Sequence, residues 1–449
     1  NKGMEPEQVP PAPRRPRTEA RDLERYAALF AARTRQMRSS AMRNMMSIAT
    51  RPGVISLAGG LPDTSTFPIE LFEEITSGIA ADGLAGALQY GPTEGLDGLR
   101  EAIPEVMARE GTGAEPEDVT VTTGGQQALD LVTRALVDPG DVLICDAPTY
   151  PGALPTFAAY QADVIQVECD SDGMKTDLLE QTLTELEAGG KRPKFIYSVP
   201  TFQNPGGMTL SLERRRQMVE IARRFEILVV EDNPYGLLRF EGEPLPSLYS
   251  IDGGGFVVYV GTFSKIVAAG LRLGWVVAPP PVRQKIVLGK QAADLCTSNL
   301  VQEFALRFLQ SGRFDEYVDG LREIYRSRRD AMLGAIAEYF PHGADWSRPE
   351  GGLFVWATLP EVIDTGDLLA KALGENVAFV PGAEAFVDGR GTNSMRLNFS
   401  GVPEERIIEG VRRIGRLADR TLGLYETIAN TAELPLPGGS IEAERREAG

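Results

Sequence analysis

Between residues 119 and 279 short apolar runs alternate with amphipathic stretches, and this alternation constrains the fold more than any other feature of the chain. The runs are VTVT (119–122), VLIC (142–145), DVIQVE (163–168), KFIYSV (194–199), EILVVED (226–232), FVVYV (256–260) and LGWVVAP (273–279). They are too short for helices and rich in β-branched residues. Their near-continuous apolarity predicts strands buried on both faces, as in a parallel sheet covered by helices. The stretches QQALDLVTRALV (126–137) and SLERRRQMVEIARRF (211–225) carry the helical period between them. The expectation is an α/β domain with a mostly parallel seven-stranded sheet flanked by helices.

A helical region over about 281–340 leads to a second unit. There GGLFVWATL, VAFVPG and MRLNFS read as strands, and PEERIIEGVRRIGRLADRTL reads as a closing helix. This predicts a smaller α+β domain. The expected division is a Pro-rich, charged tail at 1–22, a helical arm over 23–60, a large domain at 61–325, a small domain at 326–428 and a polar tail at 429–449.

Composition narrows the function. The formal net charge of −17 argues against a nucleic-acid-binding face. No apolar run approaches a membrane span, and the N-terminus has no secretory apolar core. Cys145, Cys169 and Cys296 are scattered without a CxxC pair. That pattern suits a reducing compartment, so a cytoplasmic enzyme is expected. The single histidine, His342, sits in a predicted loop. Ser-His-Asp chemistry and multi-histidine metal sites are thereby disfavoured, and no metal is expected. Proton transfer falls to Lys, Tyr, Asp or Glu.

In open α/β sheets ligands bind beyond the carboxyl ends of the strands. Here those ends run into TGGQQ, DAPTY, PTFQNPGG, EDNPYG and GTFSK. Turn residues are expected at such places, but not an aromatic, an acid and a lysine converging on one edge. Only eight of the 46 basic residues are lysines. An arginine-preferring chain that keeps Lys265 at a strand end offers an amine able to lose its proton and attack a carbonyl. Two glycines ahead of a helix can bare N–H groups to an anion, although a glycine pair alone is more often a tight turn. Thr262, Ser264 and Arg272 could add donors to the same anion. Asp232, taken alone, reads as an Asx-turn or an ion pair. Phosphate cradle, aspartate and amine together describe a pyridoxal phosphate site.

The segments GTFSKIVAAGLRLGW, PTFQNPGG, EDNPYG, QYGPTEGLDGLRE and ISLAGGLPDTSTFP, within about 40–425, resemble the fold-type I pyridoxal phosphate aminotransferases of class I/II. The likeness is to the subgroup of 2-aminoadipate, kynurenine and aromatic aminotransferases. It implies that Lys265 holds the cofactor and then shuttles a proton, that Asp232 faces the pyridine nitrogen, and that Asn204 and Tyr235 bond the ring's phenolic oxygen. Tyr150 would stack on the ring. Gly124, Gly125, Gln126, Thr262, Ser264 and Arg272 would hold the phosphate. Tyr90 would reach the phosphate of a neighbouring subunit in a homodimer, and Arg396 would clamp the substrate α-carboxylate. Relatives often carry serine where Gly125 stands here, which leaves one hydroxyl fewer in the cradle.

For substrate choice the resemblance points to Ser40 and Arg43 on the N-terminal arm, contacting a distal carboxylate, with Gly59 and Gly60 against the substrate. A solvent-exposed arginine is an equal alternative for Arg43. The expected reaction moves an amino group from a 2-aminoadipate, aromatic, branched-chain or other aliphatic donor to 2-oxoglutarate. The alternatives are a lyase, decarboxylase or racemase on the same cofactor. A further one is an aminotransferase-like transcription regulator, disfavoured by the acidic balance and by the short Pro-rich segment before the matching region.

Overall fold

The computed structural model of the protein describes residues 26–37, 51–253 and 255–432. Its strands, in chain order, are β1 (Ile55–Ser56), β2 (Val119–Thr122), β3 (Val142–Ala147), β4 (Asp163–Asp170), β5 (Gly173–Met174), β6 (Phe195–Ser198) and β7 (Leu228–Asp232). They continue as β8 (Val257–Thr262), β9 (Gly274–Val277), β10 (Asp345–Trp346), β11 (Phe354–Thr358), β12 (Val377–Ala378), β13 (Val380–Pro381) and β14 (Ser394–Asn398).

The large sheet has the order β2-β9-β8-β7-β6-β3-β4-β5. The block β4-β3-β6-β7-β8 is parallel, and β9 runs against both β8 and β2. All seven expected strands are present. The sheet is eight-stranded rather than seven-stranded because β5 folds back on the end of β4, pairing Cys169 with Met174. Two residues carry no periodicity from which such a strand could be read. Every residue of β2, β3, β6, β8 and β9 is buried, as their unbroken apolarity requires. Helices α1 (Gly124–Leu136) and α2 (Leu212–Phe225) cover the sheet. In α2, Ser211 caps the N-terminus by accepting from the Arg214 N–H, and Met218, Val219, Ile221 and Ala222 form the buried stripe. Each fully buried large apolar side chain of this kind contributes about 1.5–3 kcal/mol by leaving water.

Helices α3 (Pro280–Ala293), α4 (Asn299–Gln310) and α5 (Phe314–Tyr339) come next. Helix α5 runs unbroken through the domain boundary expected at 325. Beyond it lies a four-stranded antiparallel sheet, β10-β11-β14-β13, closed by α6 (Glu404–Ala432). Strand β1 pairs in parallel with β12, Ile55 opposite Val377. Residues 55–56 are therefore tied to 377–378, far along the chain.

Of the helical arm expected over 23–60, residues 26–37 and 51–60 are among those described. Residues 26–37 form two 3-10 turns, Ala27–Leu29 and Ala32–Gln36, on an exposed stretch. Ser40 and Arg43 lie outside the described residues.

Candidate active site

The carboxyl ends of β2, β6, β7 and β8 open into one cavity of about 340 Å³. Lys265, Asp232, Tyr235, Asn204, Tyr150 and Arg396 all line it, and Gly125, Gln126, Thr262, Ser264, Arg272 and Gly60 complete most of the expected set.

Lys265 leaves the turn after β8 and donates from Nζ to the Gly60 carbonyl. Burial, with Arg396 and Arg272 nearby, pulls its amine down to about 8. This is the depressed, nucleophilic lysine that carbonyl chemistry requires. Asp232 ends β7. Among the described residues it neither closes an Asx-turn nor meets an arginine; Asn233 makes the turn instead, its Oδ1 accepting from the Gly236 N–H at 3.1 Å. Burial raises the Asp232 carboxyl to about 6, opposed by Tyr197, whose hydroxyl donates to Oδ2 at 2.7 Å. Tyr197 was not anticipated. Inside the apolar run of β6 it reads as one more core aromatic, and only the parallel pairing with β7 sets it beside the acid.

Arg396 projects from β14 of the other sheet. Its guanidinium donates to Asn204 Oδ1 at 2.8 Å and to the Ala58 carbonyl at 2.7 Å, and it stacks over Phe354 at 4.4 Å. Its buried Nε has no partner among the described residues. Among the described residues no carboxylate pairs with it. Burial lowers its pKa to about 10, and it remains a cation at neutral pH. A buried cation without a counter-ion is costly unless an anion joins it. Asn204 also donates from Nδ2 to the Tyr235 hydroxyl at 3.3 Å, and Tyr235 meets Phe354 edge-on. Burial raises the phenols of Tyr150 and Tyr235, so both are neutral donors.

At the opposite wall Gly124 opens α1 with φ +78°, and a Cβ on it would lie 2.5 Å from Arg272 Nη2. That left-handed backbone favours glycine, since any other residue would be strained there. Arg272 itself has φ 50°, a costly conformation for a bulky residue and one that clusters at functional sites. Its Nη1 contacts Ser264 Oγ, which accepts from Thr262 Oγ1 at 3.0 Å. Gln126 turns its amide toward Gly152 and Thr156. A Cβ on Gly59 would meet only Leu61, whereas one on Gly60 would press on the Phe354 ring. Tyr90 lies away from the cavity and is 77% exposed. Phe354 and Leu61, absent from the sequence expectation, form the apolar wall, Phe354 from the second unit and Leu61 from the loop after β1.

This donor set fits pyridoxal phosphate. One end offers an amine. The floor carries a carboxylate bonded by a side chain only through Oδ2 among the described residues. The helix start, two hydroxyls and an arginine suit a phosphate, and Arg396, without a counter-ion among the described residues, suits a carboxylate.

Comparison with known proteins agrees. The family model for aminotransferase class I and II matches residues 53–414. An aromatic-amino-acid aminotransferase of Thermococcus litoralis is 45% identical over 394 residues, covering 88% of this chain and 94% of the relative. The crystal structure of a Pyrococcus horikoshii kynurenine aminotransferase with PMP superposes with a TM-score of 0.85 at 41% identity, over 89% of this chain and 98% of that one. That of the α-aminoadipate aminotransferase LysN of Thermus thermophilus, complexed with N-(5'-phosphopyridoxyl)-L-leucine, gives 0.83 at 37% identity, over 89% and 99%. A chain with this sheet, this lysine, aspartate and arginine, and these relatives belongs to the class I and II aminotransferases and works with pyridoxal phosphate.

Proposed function

We propose that the enzyme moves the α-amino group of an L-amino acid to a 2-oxo acid, 2-oxoglutarate foremost, with the two substrates reacting in turn at one site. The observation that carries this reading is Arg396, without a carboxylate partner among the described residues, lining one cavity with the depressed Lys265 amine. Bound pyridoxal phosphate supplies an aldehyde for the amino group and a ring that accepts the electrons left at Cα. Arg396, held by Asn204 and Ala58, takes the α-carboxylate of donor and acceptor alike. Lys265 moves the proton at Cα. Asp232, oriented by Tyr197, provides negative charge opposite the ring nitrogen. Gly124, Gly125, Thr262, Ser264 and Arg272 take the phosphate, and Gln126 buttresses the start of α1. Tyr150, Phe354 and Leu61 shield the reacting atoms from water.

In this reading residues 61–325 hold the cofactor and 326–428 supply Arg396. The donors named for the relatives make aromatic amino acids, kynurenine and 2-aminoadipate the first to try. The exposed Tyr90, with Leu84 and Leu88 also exposed nearby in sequence, supports a homodimer in which Tyr90 reaches the partner's phosphate. The test is the absorption spectrum of the holoenzyme against a panel of donors. Bleaching of the visible cofactor band by a donor, and its return with 2-oxoglutarate, is expected for the protein and not for Lys265→Ala. Product formation without consumption of a 2-oxo acid would point to a lyase, decarboxylase or racemase instead.

A further inference from the structure

Lys290 is one of the eight lysines, and its side chain is fully buried without lining the cavity. From the last turn of α3 its ammonium donates to both oxygens of Asp294 at 2.9 Å, to Gln127 Oε1 at 3.0 Å and to Thr297 Oγ1 at 2.8 Å. Two of these acceptors also hold the turn that opens α1. Gln127 Oε1 accepts from the Thr123 N–H at 2.7 Å. Asp294 Oδ2 accepts from Thr123 Oγ1 at 3.0 Å and from Gln127 Nε2 at 2.6 Å. Thr123 and Gln127 flank Gly124 and Gly125, so the network closes behind the N–H groups that face the phosphate position.

We infer that Lys290 is a positioning residue for the phosphate-binding turn, acting through Gln127, Asp294 and Thr123, and that it sets affinity for the phosphate part of the cofactor. This rests on the assignment of Gly124 and Gly125 to the phosphate made above. Two physical effects operate. An anion site whose N–H groups are already aimed loses less ordering free energy on binding. The ammonium also neutralises Asp294, a carboxylate one hydrogen bond from the turn, which would otherwise repel a phosphate. A tetrahedral ammonium serves acceptors grouped around one point, which a planar guanidinium does not. That geometry accounts for lysine here in an arginine-rich chain.

The test compares two probes of one site, pyridoxal phosphate and phosphate-free pyridoxal, titrated into cofactor-stripped protein and read by the absorbance of the bound form. In Lys290→Met the Kd for pyridoxal phosphate should rise about tenfold or more, as for loss of charge-assisted bonds, while that for pyridoxal stays near the original. Thr123→Val, a milder change that keeps Lys290 in place, should show a smaller loss with the same selectivity. Lys290→Arg should restore part of it by restoring the charge. Equal weakening of both probes in the Met and Val variants would mean general damage and overturn the inference, as would unchanged binding of both. If the unaltered protein bound the two probes equally well, the phosphate assignment itself would fall, and this inference with it.

Discussion

The depressed amine of Lys265 can be measured without cofactor. Its pKa falls from 10.5 to about 8, chiefly through burial and then through Arg396 and Arg272. At pH 7 a free lysine is neutral in about one molecule in 3,000, and one with a pKa near 8 in about one in ten, a gain of roughly 300-fold in reactive amine. The sign follows from the neutral base being the nucleophile: reactivity rises with pH through about 8 and is flat above. Competitive acetylation of the stripped protein at a series of pH values, read by mass spectrometry of the Lys265 peptide, gives this curve directly. Arg396→Met removes the larger of the two cationic contributions but leaves the burial, so its midpoint should move upward yet stay below 10.5. A Lys265 curve that still climbs at about pH 10 in the unaltered protein would refute the argument, because burial would then have failed to disfavour the ammonium. So would an Arg396→Met curve displaced downward.

Tyr197→Phe strips Asp232 of its side-chain donor and raises a carboxyl already near 6. Because the carboxylate is the working form, the acid limb of the pH–rate profile should move to higher pH, and the loss of rate should shrink as pH rises. Arg396→Gln should lower kcat/KM by about 100-fold, the value of roughly two charge-assisted bonds to a buried carboxylate, as steady-state kinetics would show. Gly124→Ala should cost about 1–2 kcal/mol from the left-handed backbone alone, beyond the collision with Arg272, and should appear in thermal unfolding. Gly125→Ser is the contrasting case. A Cβ there meets only Val260 Cγ1 at 3.8 Å and Thr262 Cβ at 3.9 Å, so the variant should melt like the parent and bind cofactor at least as tightly in the same titration.

Much of the site was legible because a parallel sheet buried on both faces leaves only its strand ends for chemistry. Lys265, Asp232, Asn204 and Thr262 could be found by reading the residues at and just beyond the end of each apolar run, and its place at a strand end in a chain with only eight lysines drew attention to Lys265. The same rule could not find Tyr197, which sits within a strand and gains its role from register with β7. Nor could it find Phe354 and Leu61, which are remote in sequence from the sheet's strand ends and reach the cavity only through tertiary packing. The two-residue strands β1, β5 and β10 escaped because pairing partners, not periodicity, define them. The chain alone determined the alternation, the sheet and the chemistry at its edge, because burial and residue type are local demands. Only tertiary structure decided that Arg396 is a buried cation without an ion-pair partner among the described residues, that Arg272 crowds Gly124, and that Lys290 stands behind the phosphate turn. Each of these depends on which distant groups share a low-dielectric space, and no spacing along the chain encodes that.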